Sequence, residues 1–314
     1  MSEGRPTGDR VLGVIAGTYL VEHGAERLEC VLAGRLRQGP RDRVVAGDRV
    51  LVERLEDGSA RIVERLPRRS RLARHPSHGR GIQVIAANLD RVAVVFAAAR
   101  PDPDTNLLDR LLVLAELSDL EALVVVNKMD LAPEAVPGDP LAPFEPARGA
   151  GYEIRPASVR TGAGLRELAA AIAGRVTVLA GPSGTGKSSL LNALVPEVEL
   201  RVGSVSERTG RGRHTTVAAH LYPAPGGSYL GDTPGLQYAG LPDVPAPALS
   251  HAFPELRPLL HECRFGDCLH RSEPGCAVRR AVDRGQVVDS RYRSYLTLLA
   301  ELEERAAAGR GRGR

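Results

Sequence analysis

Residues 176–194, VTVLAGPSGTGKSSLLNAL, decide the fold class of this 314-residue chain. The apolar run VTVLA feeds Gly181-Pro182-Ser183-Gly184-Thr185-Gly186-Lys187-Ser188 and continues through Ser189 into the helical pattern SSLLNAL. Strand, glycine-rich loop and helix in that order are what a phosphate-binding loop requires. Glycines let backbone N–H groups wrap toward phosphates, and the helix N-terminus adds partial positive charge. Lys187 is then placed to reach β/γ oxygens and Ser188 to ligate Mg²⁺. The loop implies a nucleoside triphosphate with Mg²⁺ and leaves the base open.

The base is read from Asn127-Lys128-Met129-Asp130, directly after the apolar run LVVV. A carboxylate at Asp130 accepts from both N1–H and the 2-amino group of guanine, a donor pair adenine lacks. Asn127 would brace the motif and bond N7, with the Lys128 stem along the base. Ala157-Ser158-Val159, followed by the turn RTGAG, would support the guanine O6 through backbone amides. Downstream, Asp232-Thr233-Pro234-Gly235 follows a β-type run and would bring a carboxylate to Mg²⁺ and the Gly235 amide to the γ-phosphate. The stretch GSVSERTGRGRHTT holds His214, Thr215 and Thr216, and either threonine can close the Mg²⁺ shell on a segment that switches. These motifs run in an unusual order, base motif first and phosphate loop later. Joining the usual ends and cutting after the Asp-Thr-Pro-Gly region produces that order with every strand in place. The second switch then leads straight into the C-terminal module.

Two regions flank this α/β core. Residues 11–66 read as five short β segments separated by Gly and Asp turns, which fits a small barrel of the oligonucleotide-binding type. Residues 35–74 hold twelve arginines against six acidic residues with almost no aromatics, a surface suited to phosphates rather than to stacked bases. PRRSRLARHPSHGRG then reads as a linker. At the other end, Cys263-x4-Cys268-x-His270-x5-Cys276 offers three thiolates and an imidazole, a set suited to structural zinc. The isolated Cys30 reads as a buried residue. A helical pattern follows, and the chain closes on GRGRGR, whose composition is that of a disordered tail.

Composition agrees. Of 42 basic residues only Lys128 and Lys187 are lysines, and both lie in nucleotide motifs, where a compact ammonium and a planar guanidinium are not interchangeable. A pI near 9.0 favours a polyanionic partner. No apolar run approaches the length of a membrane span, so no membrane partner and a cytoplasmic location are expected.

The ordered series GTYLVE, VAGDRV, PRRSRLAR, QVIAANLDRVAVVFA, LDRLLVLAE, VNKMDL, GPSGTGKSSLLNAL, GRGRHTT, DTPG and the Cys/Cys/His/Cys cluster resembles the circularly permuted, small-ribosomal-subunit-dependent GTPases called RsgA or YjeQ. The resemblance spans residues 11–305. It implies a multidomain α+β chain: an N-terminal OB-type barrel over 1–75, a central α/β permuted GTPase domain over 76–240, and a C-terminal zinc-binding module with helices over 241–314. One Zn²⁺ per monomer and Mg²⁺ with GTP are the implied cofactors. The implied partners are GTP and GDP, the small ribosomal subunit with its rRNA, and assembly factors released on hydrolysis; a monomer is expected. Val159 departs from the family's more usual alanine. Leu236 stands where many GTPases carry a water-orienting glutamine, and the resemblance gives that catalytic role to His214. An RNA-associated translation GTPase outside ribosome assembly and a non-catalytic RNA-binding module with structural nucleotide are the competing readings.

Overall fold

The five N-terminal β segments close on themselves. In the computed structural model, which describes residues 8–36, 43–75, 82–132, 138–195, 219–233, 236 and 240–310, they are β1 (Asp9–Ile15), β2 (Thr18–His23), β3 (Glu26–Leu32), β4 (Arg49–Arg54) and β5 (Ala60–Arg65). The closed order is β1-β2-β3-β5-β4, with β3 and β5 parallel and the other observed pairs antiparallel. Alternation puts Val11, Val21, Cys30, Val50 and Ile62 inside, each fully buried. Burial also pushes the Cys30 thiol up to about 11, so it stays protonated and serves as a small apolar side chain. Part of the arginine set is already engaged: Arg54 pairs with Glu26, Arg61 with Glu53, Arg68 with Asp48 and Arg69 with Asp90.

The expected linker contains a strand. β6 (Arg71–Arg74) pairs antiparallel with β7 (Gln83–Ala87), and Leu72 and Ala86 are fully buried against the central core. The arginines flanking Leu72 and Ala73 make the stretch look solvated, while its two apolar residues are what the core takes. Gly47 shows how tightly barrel and hairpin meet. It holds φ +88, and a Cβ there would sit 1.9 Å from the Ala87 carbonyl oxygen.

Central strands β8 (Arg91–Ala97), β9 (Glu121–Asn127), β10 (Glu153–Pro156), β11 (Val176–Ala180), β12 (His220–Ala224) and β13 (Ser228–Asp232) form one sheet in the order β10-β9-β8-β11-β13-β12. All adjacent pairs are parallel except the β12–β13 hairpin. β8 and β11 are buried almost throughout, as continuous apolar strands covered on both faces must be. From β8 the chain works outward through β9 to β10; from β11 it crosses to the other side, out to the edge strand β12 and back through the hairpin to β13. The crevice at the carboxyl ends of these two central strands is therefore a topological switch point, where open α/β sheets bind ligands.

Helices α1 (Thr105–Glu116), α2 (Glu145–Gly149), α3 (Leu165–Ile172) and α4 (Lys187–Leu194) accompany the sheet. Asp104 caps α1 by accepting from the Asn106 and Leu107 N–H groups at 3.0 Å each. The C-terminal region contributes α5 (Ala246–His251), α6 (Ala277–Asp283) and α7 (Asp289–Arg310). Arg291 of α7, 1% exposed, fastens this region to the core by donating to Asp109 of α1 at 2.5 Å and to Glu255 at 2.7 Å. Its guanidinium also lies 4.9 Å from the Phe253 ring centroid. The barrel docks on the β12–β13 hairpin. Tyr229 donates to Glu22, and Arg10 lies 4.2 Å over the Tyr229 ring. A Cβ on Gly13 would meet His220 Nδ1 at 2.2 Å.

Candidate nucleotide site and metal centre

Five parallel strands end on the same edge of the sheet, and each expected motif within the described residues begins at one of those ends. The phosphate loop leaves β11 at Gly181, the base motif leaves β9 at Asn127, the brace leaves β10 at Ala157, and Asp232 closes β13. Motifs separated along the chain thus share one crevice because parallel strands carry every carboxyl end to the same side.

The loop is shaped by close approach. Gly181 has φ +142, and a Cβ there would lie 2.1 Å from the Val95 carbonyl oxygen. Gly186 has φ +92, and its Cβ would lie 2.3 Å from Asn127 Nδ2. Thr185 is fully buried and donates through Oγ1 to Pro182 O at 3.0 Å. Lys187 Nζ donates to the carbonyls of Gly181 at 2.9 Å and Pro182 at 2.8 Å. Burial lowers the Lys187 ammonium pKa and raises that of the Asp232 carboxyl, and each opposes the other's shift by its charge. Asp232 Oδ1 is buried without a hydrogen-bond partner among the described residues, an orphaned acceptor suited to a cation. Pro182, Ser188 and Ser189 are half-buried along the loop and first helical turn, while Ser183 and Gly184 are exposed.

Asn127 joins the base motif to this loop, with Nδ2 donating to Thr185 O at 2.9 Å. Lys128, in left-handed conformation, donates to Arg100 O at 2.6 Å. The Met129 N–H reaches Ala157 O at 3.2 Å, joining the motif to the brace. Ser158 Oγ donates to Asp130 Oδ1 at 2.6 Å, and the Ser158 backbone N–H donates to Ala163 O, folding the turn that carries half-buried Val159. Chiefly through the Ser158 hydroxyl, with Arg160 adding to it, the Asp130 carboxyl is held below the usual aspartate range. Arg160 Nε lies 2.6 Å from Asp130 Oδ2, a contact that no motif announced, because one exposed arginine among 40 carries no signal in this composition.

His214, Thr215, Thr216 and Gly235 lie outside the described residues. Leu236 is 1% exposed within the central core, so it packs where a water-orienting side chain would need to be free.

The four C-terminal candidates do come together. The ligand atoms of Cys263, Cys268, His270 and Cys276 all lie within 4.8 Å of one another, an arrangement able to hold a metal ion. His270 Nδ1 is 3.6 Å from Cys263 Sγ and 3.5 Å from Cys276 Sγ. A tetrahedron with metal–sulfur near 2.3 Å and metal–nitrogen near 2.0 Å has sulfur–nitrogen edges of about 3.5 Å. Helix α7 steadies the loop: Tyr292 donates to His270 O at 2.6 Å and Tyr295 to Leu269 O at 2.9 Å.

Comparisons with known proteins agree with this geometry. The RsgA GTPase family matches residues 65–242. The chain is 46% identical over 286 residues to the small ribosomal subunit biogenesis GTPase RsgA of Gemmatimonas aurantiaca, covering 90% of this chain and 92% of that one. It is 43% identical to the protein of that name from Moorella thermoacetica, covering 91% and 94%. Among solved structures, YjeQ from Thermotoga maritima superposes with TM-score 0.74 at 33% identity, covering 94% of this chain and 97% of the other. YloQ, described as a circularly permuted GTPase, superposes at 0.70 with 28% identity and 95% of each chain covered. With the phosphate loop following the base motif along the chain and joined to it by the Asn127–Thr185 bond, this GTP hydrolase belongs to the RsgA GTPase family.

Proposed function

We propose that this GTPase acts in late maturation of the small ribosomal subunit, binding the subunit and its rRNA and hydrolysing GTP when the subunit stimulates it. The observation that carries the reading is the permuted site just described, in a chain matching relatives named for small-subunit biogenesis over about nine-tenths of its length. Arginines on the barrel supply affinity for rRNA phosphates, and hydrolysis drives release of assembly factors. The protein works as a cytoplasmic monomer, with the barrel over 1–75, the GTPase domain over 76–240 and the metal module over 241–314.

In this reading guanine lies against the Asn127–Asp130 motif and the Ser158–Val159 brace that packs beside it, and the phosphates lie in the loop from Gly181 to Ser189. Lys187 exchanges its two carbonyl partners for β/γ oxygens, a charge-assisted contact stronger than a neutral one. Ser188, Asp232 and Thr215 or Thr216 would hold Mg²⁺, which neutralises charge developing on the phosphates. The orphaned Asp232 oxygen supports that assignment. Three thiolates with one imidazole suit structural Zn²⁺ at Cys263, Cys268, His270 and Cys276, one ion per chain, since four protein ligands leave no open position for catalysis.

Because Leu236 is buried, water must be oriented by another group, and His214 takes that role when the subunit is bound. GTP hydrolysis measured with and without purified small subunits tests the whole reading: slow turnover alone and strong stimulation are expected, and equal rates would overturn it. His214→Ala should keep GTP and subunit binding yet lose about 10²-fold of the stimulated rate. A near-normal stimulated rate would remove His214 from catalysis.

A further inference from the structure

Phenylalanine is scarce in this chain and almost entirely hidden. Of four phenylalanines, Phe96, Phe144 and Phe253 are at most 1% exposed, whereas Phe265 is 41% exposed. A single exposed apolar residue is ordinary. Its setting is not. Phe265 lies between Cys263 and Cys268, on a backbone pinned from both sides. The Arg264 N–H donates to Gly275 O at 3.2 Å, and the Cys268 N–H donates to Phe265 O at 3.3 Å. The ring is therefore displayed by a fixed loop and loses little freedom on meeting a partner.

Beside it, the Arg264 guanidinium lies 5.4 Å from the ring centroid. Gly275, at φ +75, passes so close beneath the Arg264 stem that a Cβ would stand 3.0 Å from the Arg264 Cβ. Arg279, Arg280 and Arg284, on and just after α6, are exposed. Like Arg264, they form no ion pair among the described residues, whereas Arg271 is taken by Glu303. The nearby Glu273 carboxylate is turned to the backbone, accepting from the N–H groups of Leu269, Arg271 and Ser272. An open aromatic face with a guanidinium beside it, on a module that also carries exposed arginines outside any ion pair among the described residues, combines the elements that bind single-stranded nucleic acid. An apolar protein pocket would use the ring and leave the arginines idle. A duplex would use the arginines and offer the ring no exposed base.

We propose that Phe265 and Arg264 form a stacking site for an unpaired base of single-stranded RNA, a second RNA contact distinct from the arginine-rich barrel. The proposal rests on the reading of RNA as this protein's partner.

The chain contains no tryptophan, so Phe265→Trp in the full-length, metal-loaded protein installs a single tryptophan at the site, which can be excited apart from the seven tyrosines. Titration with a single-stranded RNA oligonucleotide should quench it, while a hairpin duplex should bind without quenching. Phe265→Ala should weaken single-strand binding by about 5- to 150-fold, Phe265→Tyr should restore it, and duplex affinity should hold for both. Metal content and thermal unfolding of each variant report that the module remains folded. RNA binding with an unquenched tryptophan, or equal weakening of duplex and single strand in Phe265→Ala, overturns this proposal alone. Failure of the parent protein to bind any RNA overturns the RNA reading and this site with it.

Discussion

Replacing Gly186 with alanine tests whether the base motif and the phosphate loop are one mechanical unit. Gly186 holds φ +92, and its new Cβ would lie 2.3 Å from Asn127 Nδ2. Left-handed backbone costs a non-glycine residue about 1–2 kcal/mol. Asn127 cannot yield cheaply, because it is 2% exposed and its Nδ2 donates to Thr185 O at 2.9 Å. Displacing it strands a buried donor and a buried carbonyl, for about 1–3 kcal/mol more. The sum, about 2–5 kcal/mol, corresponds to roughly 30- to several-thousand-fold if it all appears in nucleotide affinity. Binding of fluorescent GDP and thermal unfolding, measured together, divide the loss between affinity and stability. Gly58→Ala is the control: φ is +82 there with nothing within 4 Å, so only the backbone cost applies. If Gly186→Ala binds GDP within about threefold of the parent, Asn127 does not set the loop's shape.

Asp130→Asn should weaken GTP binding and admit xanthosine triphosphate, whose 2-oxo group replaces a donor with an acceptor; unchanged GTP affinity would remove the base-reading role. The Ser158 hydroxyl helps hold the Asp130 carboxyl below its ordinary 3.8, so the charged form prevails above that range and is lost as pH falls through the lowered value. Ser158→Ala should therefore start the acid loss of GDP affinity at higher pH, and an acid limb that stays in place in a binding titration would contradict the assignment. Arg291→Ala should destabilise by about 3–5 kcal/mol in urea unfolding, because Asp109 and Glu255 are left facing each other without their cation. Arg291→Met, which restores most of the buried side-chain volume without the charge, should cost less than alanine, and equal losses would show that packing contributes nothing there.

Local chemistry made much of this protein legible from sequence. The phosphate loop, the base motif and the candidate metal ligands are defined by residue type at short spacing, and the five barrel strands by alternation over a few residues each. The permuted order was equally plain, since motif order is a property of the chain. Tertiary structure decided what depends on distant approach. Strand β6 was hidden because four arginines in 68–74 outweigh the two apolar residues the core takes. Arg160 meets Asp130, and Arg291 meets Asp109 from 182 residues away, yet in a chain of 40 arginines composition cannot say which few find carboxylates. The glycines divide likewise. Gly181 and Gly186 could be read as loop glycines, but the contacts that demand them, with Val95 and Asn127, exist only once β8, β9 and β11 lie side by side. Sequence thus determined which groups are available and in what order, whereas closure of the sheet determined which of them touch.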